Sequence, residues 1–315
     1  EDAGVPDDAA ADAAARIAAS YVPWQENSFP GLLGNVVAGR IANKLDLGGT
    51  NCVVDAACAS SLSAVHLAAL ELQAGRSDVV VTGGIDTFND IFMYMCFSKT
   101  PALSASGDAK PFDADGDGTI LGEGLGVVVL KRLADAERDG DTVYAVLKGI
   151  GSSSDGKGNA IYAPSAEGQQ RCLRTAYAVA GVDPSTVELV EAHGTGTKVG
   201  DTVEATALVE VFGAAEGKPR PWCAVGSVKS QIGHTKAAAG AASLVKAALA
   251  LHHKVLPPTI KVKKPVDPFR SADTPFYVNT AARPWLSRPE HPRRAGLSAF
   301  GFGGSNFHAV LEEHT

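Results

Sequence analysis

The chain has 315 residues, of which 45% are hydrophobic and 20% are charged, and its formal net charge is −7. This length and apolar content are enough for a large core in one or two packed units. The acidic balance argues against nucleic acid or an anionic membrane as a partner, because either would favour a basic surface. The basic residues between positions 254 and 264 are the best candidate for such a surface, although a charge run more often forms a solvated face.

The cysteine pattern and the chain's first residues point to a cytoplasmic protein. The five cysteines, at positions 52, 58, 96, 172 and 223, include no pair with the CxxC spacing of a zinc or redox site. Their odd number favours reduced thiols over a disulfide framework. The alanine-rich, acidic start does not resemble a signal peptide. The most apolar helical stretch, residues 237–251, is too short to span a membrane and contains Lys246.

The first half of the chain alternates segments of helical and strand periodicity. Helices are predicted at residues 1–20 and 59–72. Strands are predicted at residues 51–56, 77–82, 125–130 and 144–150. The valine-rich runs in the last three are typical of strands that are buried on both faces of a sheet.

The second half continues the alternation. Helices are predicted at residues 165–180, 201–212 and 236–253, and strands at 187–192, 224–228 and, as a pair joined by a glycine-rich turn, within 294–313. Gly181 has the position of a helix C-cap, and Asp201 and Glu204 have the spacing of a capping box. Strands that alternate with helices of this length predict an α/β protein. A soft boundary is expected at the polar residues 139–142.

Cys58 is the first candidate for chemistry. It lies in the sequence VVDAACASSL, after a predicted strand and at the start of a predicted helix. The positive end of a helix dipole lowers the pKa of a thiol, and a sharp strand-to-helix turn exposes a nucleophile. A cysteine among alanines is more often a small buried residue, so Cys58 alone does not establish a nucleophile.

Other predicted strand ends carry two histidines and a glycine-rich turn. His193 begins the loop HGTGT at the edge where α/β sheets place ligands, and GSVKSQIGH ends at His234. Lys229 in the latter segment is buried by pattern and needs a carboxylate partner. The glycines of residues 300–306 can bring backbone N–H groups close to a substrate carbonyl. A cysteine and two histidines at separate strand ends predict a nucleophilic site.

Four segments in order resemble the signature blocks of β-ketoacyl synthases: DAACASSL from Asp55, HGTGT from His193, GSVKSQIGH up to His234, and GFGGSN from Gly301. The segment PFDADGDGTILGEG is similar to a further block of this family. Three longer segments resemble the ketosynthases of iterative polyunsaturated fatty acid synthases, with related iterative polyketide systems as the alternative. These segments are residues 24–43, 91–104 and 248–260.

The resemblance implies a thiolase-like fold, in which two similar α/β halves form a layered αβαβα architecture. Residues 1–141 would form a partial N-terminal half with the nucleophile, and residues 142–315 a C-terminal half with both histidines. The family's first strand and helices would precede residue 1, so we expect the N-terminal part of the first half to be missing. The family also implies a homodimer and membership of a larger multidomain synthase.

The resemblance also implies the reaction. Cys58 would accept an acyl chain from an acyl carrier protein and condense it with malonyl-acyl carrier protein, with loss of carbon dioxide. His193 and His234 would stabilise the enolate, as neutral imidazoles can. The carrier's phosphopantetheine arm would bring both substrates, and no cofactor or metal bound by the chain itself is implied.

The family implies roles for further residues. Lys229 and Glu204 match a supporting charged pair. The backbone N–H groups of Cys58 and Phe302 match the oxyanion hole, and Phe300 and Phe302 match a gate. Thr195 and Thr197 match hydroxyls that hold the pantetheine arm.

Three other functions remain open. A degradative thiolase would use a second cysteine as base, and none lies close to His234. A scaffold like a chain-length factor usually lacks the cysteine, and a non-elongating transferase would form an acyl adduct without extending it. A cysteine hydrolase needs a base but no malonyl pocket.

Residues 113–118 look like the start of a calcium loop. The bidentate glutamate of such a loop belongs at position 124, which is Gly124, so calcium binding is not expected. Glu123 is expected instead to anchor a turn near the site. The chain also lacks the glycine-rich signatures of nucleotide binding.

Overall fold

A computed structural model describes residues 4–157, 160–213 and 220–315. Backbone contacts divide the chain into a small unit, Glu1–Val53, and a large unit, Val54–Thr315. The helices of the small unit are α1 (Asp7–Ala19), α2 (Ser28–Gly31) and α3 (Val36–Leu45). Helix α1 confirms the described part of the helix predicted at residues 1–20. None of the helices in the described ranges is long and apolar enough to cross a membrane.

The large unit alternates helices and strands, as predicted. Its helices are α4 (Ser60–Gln73), α5 (Ile91–Lys99), α6 (Leu133–Asp139), α7 (Ala166–Ala180), α8 (Lys198–Phe212), α9 (Lys229–Ile232) and α10 (Ala239–His253). Its strands are β1 (Val79–Asp86), β2 (Gly124–Lys131), β3 (Val146–Ser154), β4 (Leu189–Glu191), β5 (Cys223–Gly226), β6 (Val255–Leu256), β7 (Phe276–Val278), β8 (Arg283–Pro284), β9 (Arg294–Gly301) and β10 (Ser305–Glu312). Its 3₁₀ turns are Ala57–Ala59, Pro184–Thr186, Lys236–Ala238 and Asp267–Arg270.

A six-stranded mixed sheet lies at the centre of the large unit, with the order β3-β10-β9-β4-β5-β7. Strands β9, β4, β5 and β7 are parallel, and β10 is antiparallel to its neighbours β9 and β3. In this register Glu191 at the end of β4 lies between Gly226 of β5 and Leu297 of β9. The carboxyl ends of parallel strands meet at one edge of a sheet, which is where α/β proteins bind ligands.

Helices cover both faces of this sheet. Helices α7 and α8 form one hydrophobic core with Val190 and Val225, and helices α4 and α10 form a second core with Leu189 and Ala224. Adjacent strand residues point to opposite cores because side chains alternate along a pleated strand. The α/β architecture is thus built from one continuous sheet between two helical layers.

Helices α4 and α10 also pack on a second, two-stranded antiparallel sheet of β1 and β2. The described residues of the large unit therefore form four layers: helix, sheet, helix and sheet. The outer face of β2 is exposed at Leu125, Val127 and Val129. The prediction that this strand is buried on both faces is wrong, because in the described chain only its inner face is covered by a helical layer.

Two local predictions are also wrong. Residues 51–56 form no strand, because they pair with no neighbouring strand among the described residues. The capping box is absent as well, since α8 begins at Lys198, with Thr197 as its N-cap residue. The carboxylates of Asp201 and Glu204 instead accept N–H groups of the loop from His193 to Gly196, and Asp201 also accepts that of Phe112.

Helix α7 is confirmed with both of its predicted ends. The Ser165 side chain accepts the Gly168 N–H, and Gly181 ends the helix in a left-handed conformation with a φ of 62°. This combination of a serine N-cap and a glycine just past the last turn is the common way to satisfy the free backbone groups of a helix. The hairpin of β9 and β10 is also confirmed.

Gly151 of β3 lies against helix α7, and its substitution tests this packing. A Cβ atom at Gly151 would lie 2.3 Å from the Ala176 nitrogen and 2.4 Å from the Cys172 carbonyl oxygen. Gly151→Ala must therefore separate the strand from the helix, and we expect it to lower the free energy of unfolding by about 2–3 kcal/mol. Urea denaturation measures this change. Gly181→Ala, which meets no atom within 4 Å, is the control and should cost about 1 kcal/mol through left-handed strain. Equal losses would contradict the packing argument.

Candidate active site

Cys58 lies in a tight turn that leads into helix α4. Ala57, the residue before it, has a left-handed φ of 50°, which is costly for a residue with a Cβ atom. The Asp55 carboxylate accepts the Ala57 N–H at 2.8 Å, and the Ser60 hydroxyl donates to the Ala57 carbonyl at 2.7 Å. These bonds between residues of one sequence block hold the backbone that carries the Cys58 side chain.

The Cys58 side chain is buried, with 8% of the residue's surface exposed. Burial raises the pKa of its thiol to about 11, and the positive charge of Lys229 opposes this only in part. The predicted lowering of this pKa by a helix N-terminus is therefore wrong, because desolvation of the thiolate outweighs the favourable charges. The resting side chain is a thiol at neutral pH.

The backbone of His193, just beyond β4, is held by two buried charged side chains. The Glu204 carboxylate accepts the N–H groups of His193 and Gly194, each at 2.8 Å. The Lys229 ammonium donates to the His193 carbonyl oxygen. Within the ranges that the structure describes, Lys229 and Glu204 form no direct ion pair. The two side chains bind the backbone of the same loop, and their opposite charges still act on each other across it.

His234 is brought to His193 by the loop that follows β5. The centroids of the two imidazole rings lie 5.4 Å apart, and the rings are nearly perpendicular. Burial lowers the pKa of both imidazoles well below its usual value, and the charge of Lys229 lowers it further. Both rings are therefore neutral at neutral pH.

Backbone N–H groups determine the tautomer of both rings. The Phe300 N–H donates to Nδ1 of His193 at 3.3 Å, and the Lys236 N–H donates to Nδ1 of His234 at 3.1 Å. A neutral imidazole whose Nδ1 accepts a hydrogen bond carries its proton on Nε2. Each ring is thus a neutral donor through Nε2, and such donors stabilise a negative charge that develops on a substrate oxygen.

The turn after β9 packs directly on the turn that carries Cys58. A Cβ atom at Gly301 would lie 2.1 Å from the Ala56 carbonyl oxygen, so only glycine permits this approach of two backbones. In the described part of the chain, the backbone N–H groups of Cys58 and Phe302 donate to no protein oxygen.

The two phenylalanines of this turn have different environments. Phe300 is buried, and its ring centroid lies 5.6 Å from that of His193. Phe302 has 48% of its surface exposed, and its ring stacks on Phe97 at 6.5 Å. Phe300 thus supports a histidine, whereas Phe302 has the exposure that a movable side chain needs.

The loop that follows His193 carries the predicted hydroxyl pair. The Thr195 and Thr197 hydroxyl oxygens lie 2.8 Å apart, and both residues are partly buried. The Asp201 carboxylate supports this loop by accepting the Gly196 N–H at 3.1 Å, and it also accepts the Phe112 N–H at 2.6 Å. Burial raises the pKa of Asp201 to about 6.

Sequence reasoning missed several residues of this site. Asp201 supports the histidine loop, and its spacing from Glu204 is the one local signal that both face the same loop. Asp86 and Lys236 form a buried ion pair with a 3.0 Å separation beside the His234 loop. No local pattern predicts that pair, because its members are far apart in the sequence.

The aspartate-rich segment binds backbone groups of the protein. The Asp113 carboxylate accepts the N–H groups of Lys263 and Lys264, at 2.5 and 2.9 Å. The Asp117 carboxylate accepts hydrogen bonds from Ser104 and from the Ser106 N–H. Over the described residues, no group of three or more His, Cys, Asp or Glu side chains is arranged to hold a metal ion.

Removal of the Lys229 charge tests the electrostatics around the thiol. Because a thiol below its pKa gains thiolate about tenfold per pH unit, wild-type alkylation of Cys58 by iodoacetamide should rise with pH between about 7 and 9. We expect Lys229→Met to raise the pKa further and to slow alkylation about tenfold at each pH. Peptide mapping separates Cys58 from the exposed Cys52 and Cys96.

The matched control is Lys131→Met. Lys131 pairs with Asp139 and Asp141 at 2.5 and 2.6 Å and contacts neither histidine. Lys131→Met should leave the rate of Cys58 alkylation unchanged. Equal rates for Lys229→Met and wild type, with both proteins folded, would show that the charge does not act on the thiol.

Known families match most of the chain. Residues 8–136 match the family described as "Beta-ketoacyl synthase, N-terminal domain", and residues 144–263 match "Beta-ketoacyl synthase, C-terminal domain". The chain is 52% identical over 314 residues to a polyunsaturated fatty acid synthase subunit of Thraustochytrium sp., a match that covers 98% of this chain and 11% of that protein. It is 43% identical over 279 residues to polyketide synthase PksL of Bacillus subtilis, a match that covers 89% of this chain and 6% of that protein.

Solved structures give the same picture. The ketosynthase from module 6 of the bacillaene synthase of Bacillus subtilis 168 has a TM-score of 0.88 and 41% identity, over 93% of this chain and 53% of that chain. The oxazolomycin ketosynthase domain of Streptomyces albus JA3453 has a TM-score of 0.84 and 37% identity, over 89% of this chain and 49% of that chain. The chain thus spans about half the length of these structures and a small part of the curated relatives.

Proposed function

The chain belongs to the β-ketoacyl synthases, a family of condensing enzymes with a thiolase-like fold, and we propose that it joins an acyl chain on Cys58 to a malonyl unit by decarboxylative Claisen condensation. The family and the fold class that the sequence motifs predict are thereby confirmed. The observation that carries the proposed reaction is the pair of neutral imidazoles whose Nδ1 atoms both accept a backbone N–H.

The first half-reaction transfers the acyl group to Cys58. The sulfur attacks the carbonyl carbon of an acyl thioester, the carrier's thiol leaves, and the thiol proton of Cys58 ends on that leaving sulfur. The free N–H groups of Cys58 and Phe302 support this step, because they can bind the oxygen that becomes negative in the tetrahedral intermediate. The raised pKa of Cys58 means that its proton must leave as the substrate binds.

The second half-reaction forms the carbon–carbon bond. The malonyl group loses carbon dioxide, and the electrons of the broken bond form an enolate on the thioester. The Nε2–H groups of His193 and His234 donate hydrogen bonds to the enolate oxygen and keep their protons, so both rings stay neutral. The enolate carbon then attacks the acyl carbonyl, and the Cys58 thiolate leaves and regains a proton from water.

Residues around this centre receive roles on the same basis. Lys229 and Glu204 keep the His193 loop in place through their hydrogen bonds to its backbone. Thr195 and Thr197 hold the phosphopantetheine arm of an acyl carrier protein, which delivers both the acyl and the malonyl group, and the chain itself needs no bound cofactor. Phe302, with Phe300 beside it, forms a gate next to the sulfur.

The wider setting follows from the relatives. We propose that the chain works in a cytoplasmic multidomain synthase for polyketides or polyunsaturated fatty acids, and the 52% identity to a component of a polyunsaturated fatty acid synthase favours the latter. We further propose that the chain forms a homodimer and that residues 1–141 and 142–315 correspond to the two thiolase-like halves.

Intact-mass analysis tests the two half-reactions separately. The protein is incubated with an acyl-carrier thioester and then with malonyl-carrier protein. We expect an acyl adduct that Cys58→Ala abolishes, followed by a β-keto product that is two carbons longer. His234→Ala should retain the adduct but lower malonyl decarboxylation about 10²- to 10³-fold, because one donor to the enolate is lost.

The control is Cys52→Ala, which removes an exposed cysteine and should change neither step. A stable adduct without elongation in the wild-type protein would identify a non-elongating transferase or scaffold. Hydrolysis of the adduct without condensation would identify a thioester hydrolase. Absence of any adduct on folded protein would refute Cys58 as the nucleophile.

A further inference from the structure

Lys236 is a buried cation two residues after His234 that the proposed reaction leaves without a role. Its side chain is 7% exposed. Its ammonium pairs with the Asp86 carboxylate at 3.0 Å, and it donates to the Asn89 side-chain oxygen at 2.5 Å and to the Gly122 carbonyl at 2.9 Å. Three oxygens from separate segments thus satisfy all three donors of one ammonium group.

The backbone of Lys236 has an uncommon conformation. Its φ is 47°, in the left-handed region that a residue with a Cβ atom rarely adopts. In this conformation the Lys236 N–H donates to Nδ1 of His234. The next N–H, that of Ala237, donates to the Asp86 carboxylate at 3.3 Å. One carboxylate therefore binds both the side chain of Lys236 and the backbone that follows it.

The anchor itself is held from a further side. The Asn89 N–H donates to the Glu123 carboxylate at 2.9 Å, so the residue whose amide oxygen receives the Lys236 ammonium is fixed in turn. Asp86 is the last residue of β1, and Gly122 lies just before β2. The smaller sheet is thus joined directly to the turn that carries His234.

We propose that Lys236 is a positioning residue for His234: its anchored side chain holds the left-handed backbone, and the backbone N–H then keeps the His234 proton on Nε2. The effect on catalysis rests on the proposed function, because only the decarboxylation step uses that proton. The effect on the tautomer does not depend on any reaction. Acyl transfer to Cys58 does not use that proton, and Lys236 acts on it only through its charge, which lowers the pKa of the thiol.

Lys246 is a comparison, because its ion pair is not needed to hold its backbone. It forms a comparable ion pair with Glu191 at 2.6 Å, but it lies inside α10, where the helix itself holds the backbone. At Lys236 a glycine would adopt the same φ without strain. The contacts of the Lys236 side chain therefore hold a backbone conformation that glycine would adopt without them.

The tautomer is measured by nitrogen-15 NMR on the chain with its eight histidines selectively labelled, and His234→Gln assigns the His234 signals. The wild-type ring should show one protonated nitrogen, Nε2, and one unprotonated nitrogen, Nδ1. Lys236→Met should give a mixture of tautomers, since it removes the anchor but keeps a Cβ atom. Lys236→Gly should restore the single Nε2–H tautomer, since it needs no anchor.

The kinetic arm uses malonyl-carrier protein and an acyl-carrier thioester. We expect Lys236→Met to slow decarboxylation about 10- to 100-fold, the usual effect of losing a partner that orients a histidine. Acylation of Cys58 should slow less, because there the substitution removes only one of the charges that lower the pKa of the thiol. Lys236→Gly should recover most of the loss. Lys131→Met, the same substitution at a surface ion pair, should be silent in both assays. If Lys236→Met does not fold, Asp86→Asn, which removes only the charge of the anchor, serves in its place.

The outcomes separate the two proposals. A wild-type ring that is not a single Nε2–H tautomer, or a single tautomer retained in Lys236→Met, would overturn the positioning role. Loss of the tautomer in both Lys236→Met and Lys236→Gly would overturn the backbone argument, because the side chain would then act in another way. Absence of decarboxylation in the wild type would refute the proposed function and leave the NMR result standing.

Discussion

The buried charges beneath the His193 loop are the constraint on which the rest of the site depends. A buried charge is costly unless hydrogen bonds replace its water. Glu204 meets this requirement with the N–H groups of His193 and Gly194, and Lys229 meets it with the His193 carbonyl. The same bonds fix the backbone of the loop. The hydrogen bonds that the two buried charges require therefore also position His193.

Burial favours the neutral form of all three side chains, Cys58, His193 and His234. It raises the pKa of Cys58 and lowers the pKa of His193 and His234. A thiolate–imidazolium pair is therefore not the resting state. In the proposed reaction, negative charge develops on substrate oxygens, which Nε2–H and backbone N–H groups stabilise, and on the Cys58 sulfur when it leaves. A dry site strengthens such preformed donors, since little water competes with them.

The sequence predicted the parts of the site that depend on local order and missed those that depend on distant contacts. His193 follows β4 almost directly, and His234 lies in the segment after β5, beyond the short helix α9, so strand ends were enough to find them. The pKa of Cys58 was predicted with the wrong sign, because a helix N-terminus is visible in the sequence and burial is not. The Asp86–Lys236 pair joins segments 150 positions apart, which no periodicity reveals. The exposed face of β2 was missed for the same reason: a valine run does not show which face is covered.

Left-handed backbone at non-glycine residues unites these observations. Ala57, Phe112 and Lys236 all have positive φ, a conformation that costs about 1–3 kcal/mol at each such residue. In every case an aspartate carboxylate binds the turn, from Asp55, Asp201 and Asp86 respectively. The first turn carries the proposed nucleophile. In the second, the Phe112 ring packs against Gly194 beside His193. The third donates a backbone N–H to His234. A strained backbone persists only where several contacts hold it. Here an aspartate carboxylate supplies such contacts by accepting an N–H group of each turn.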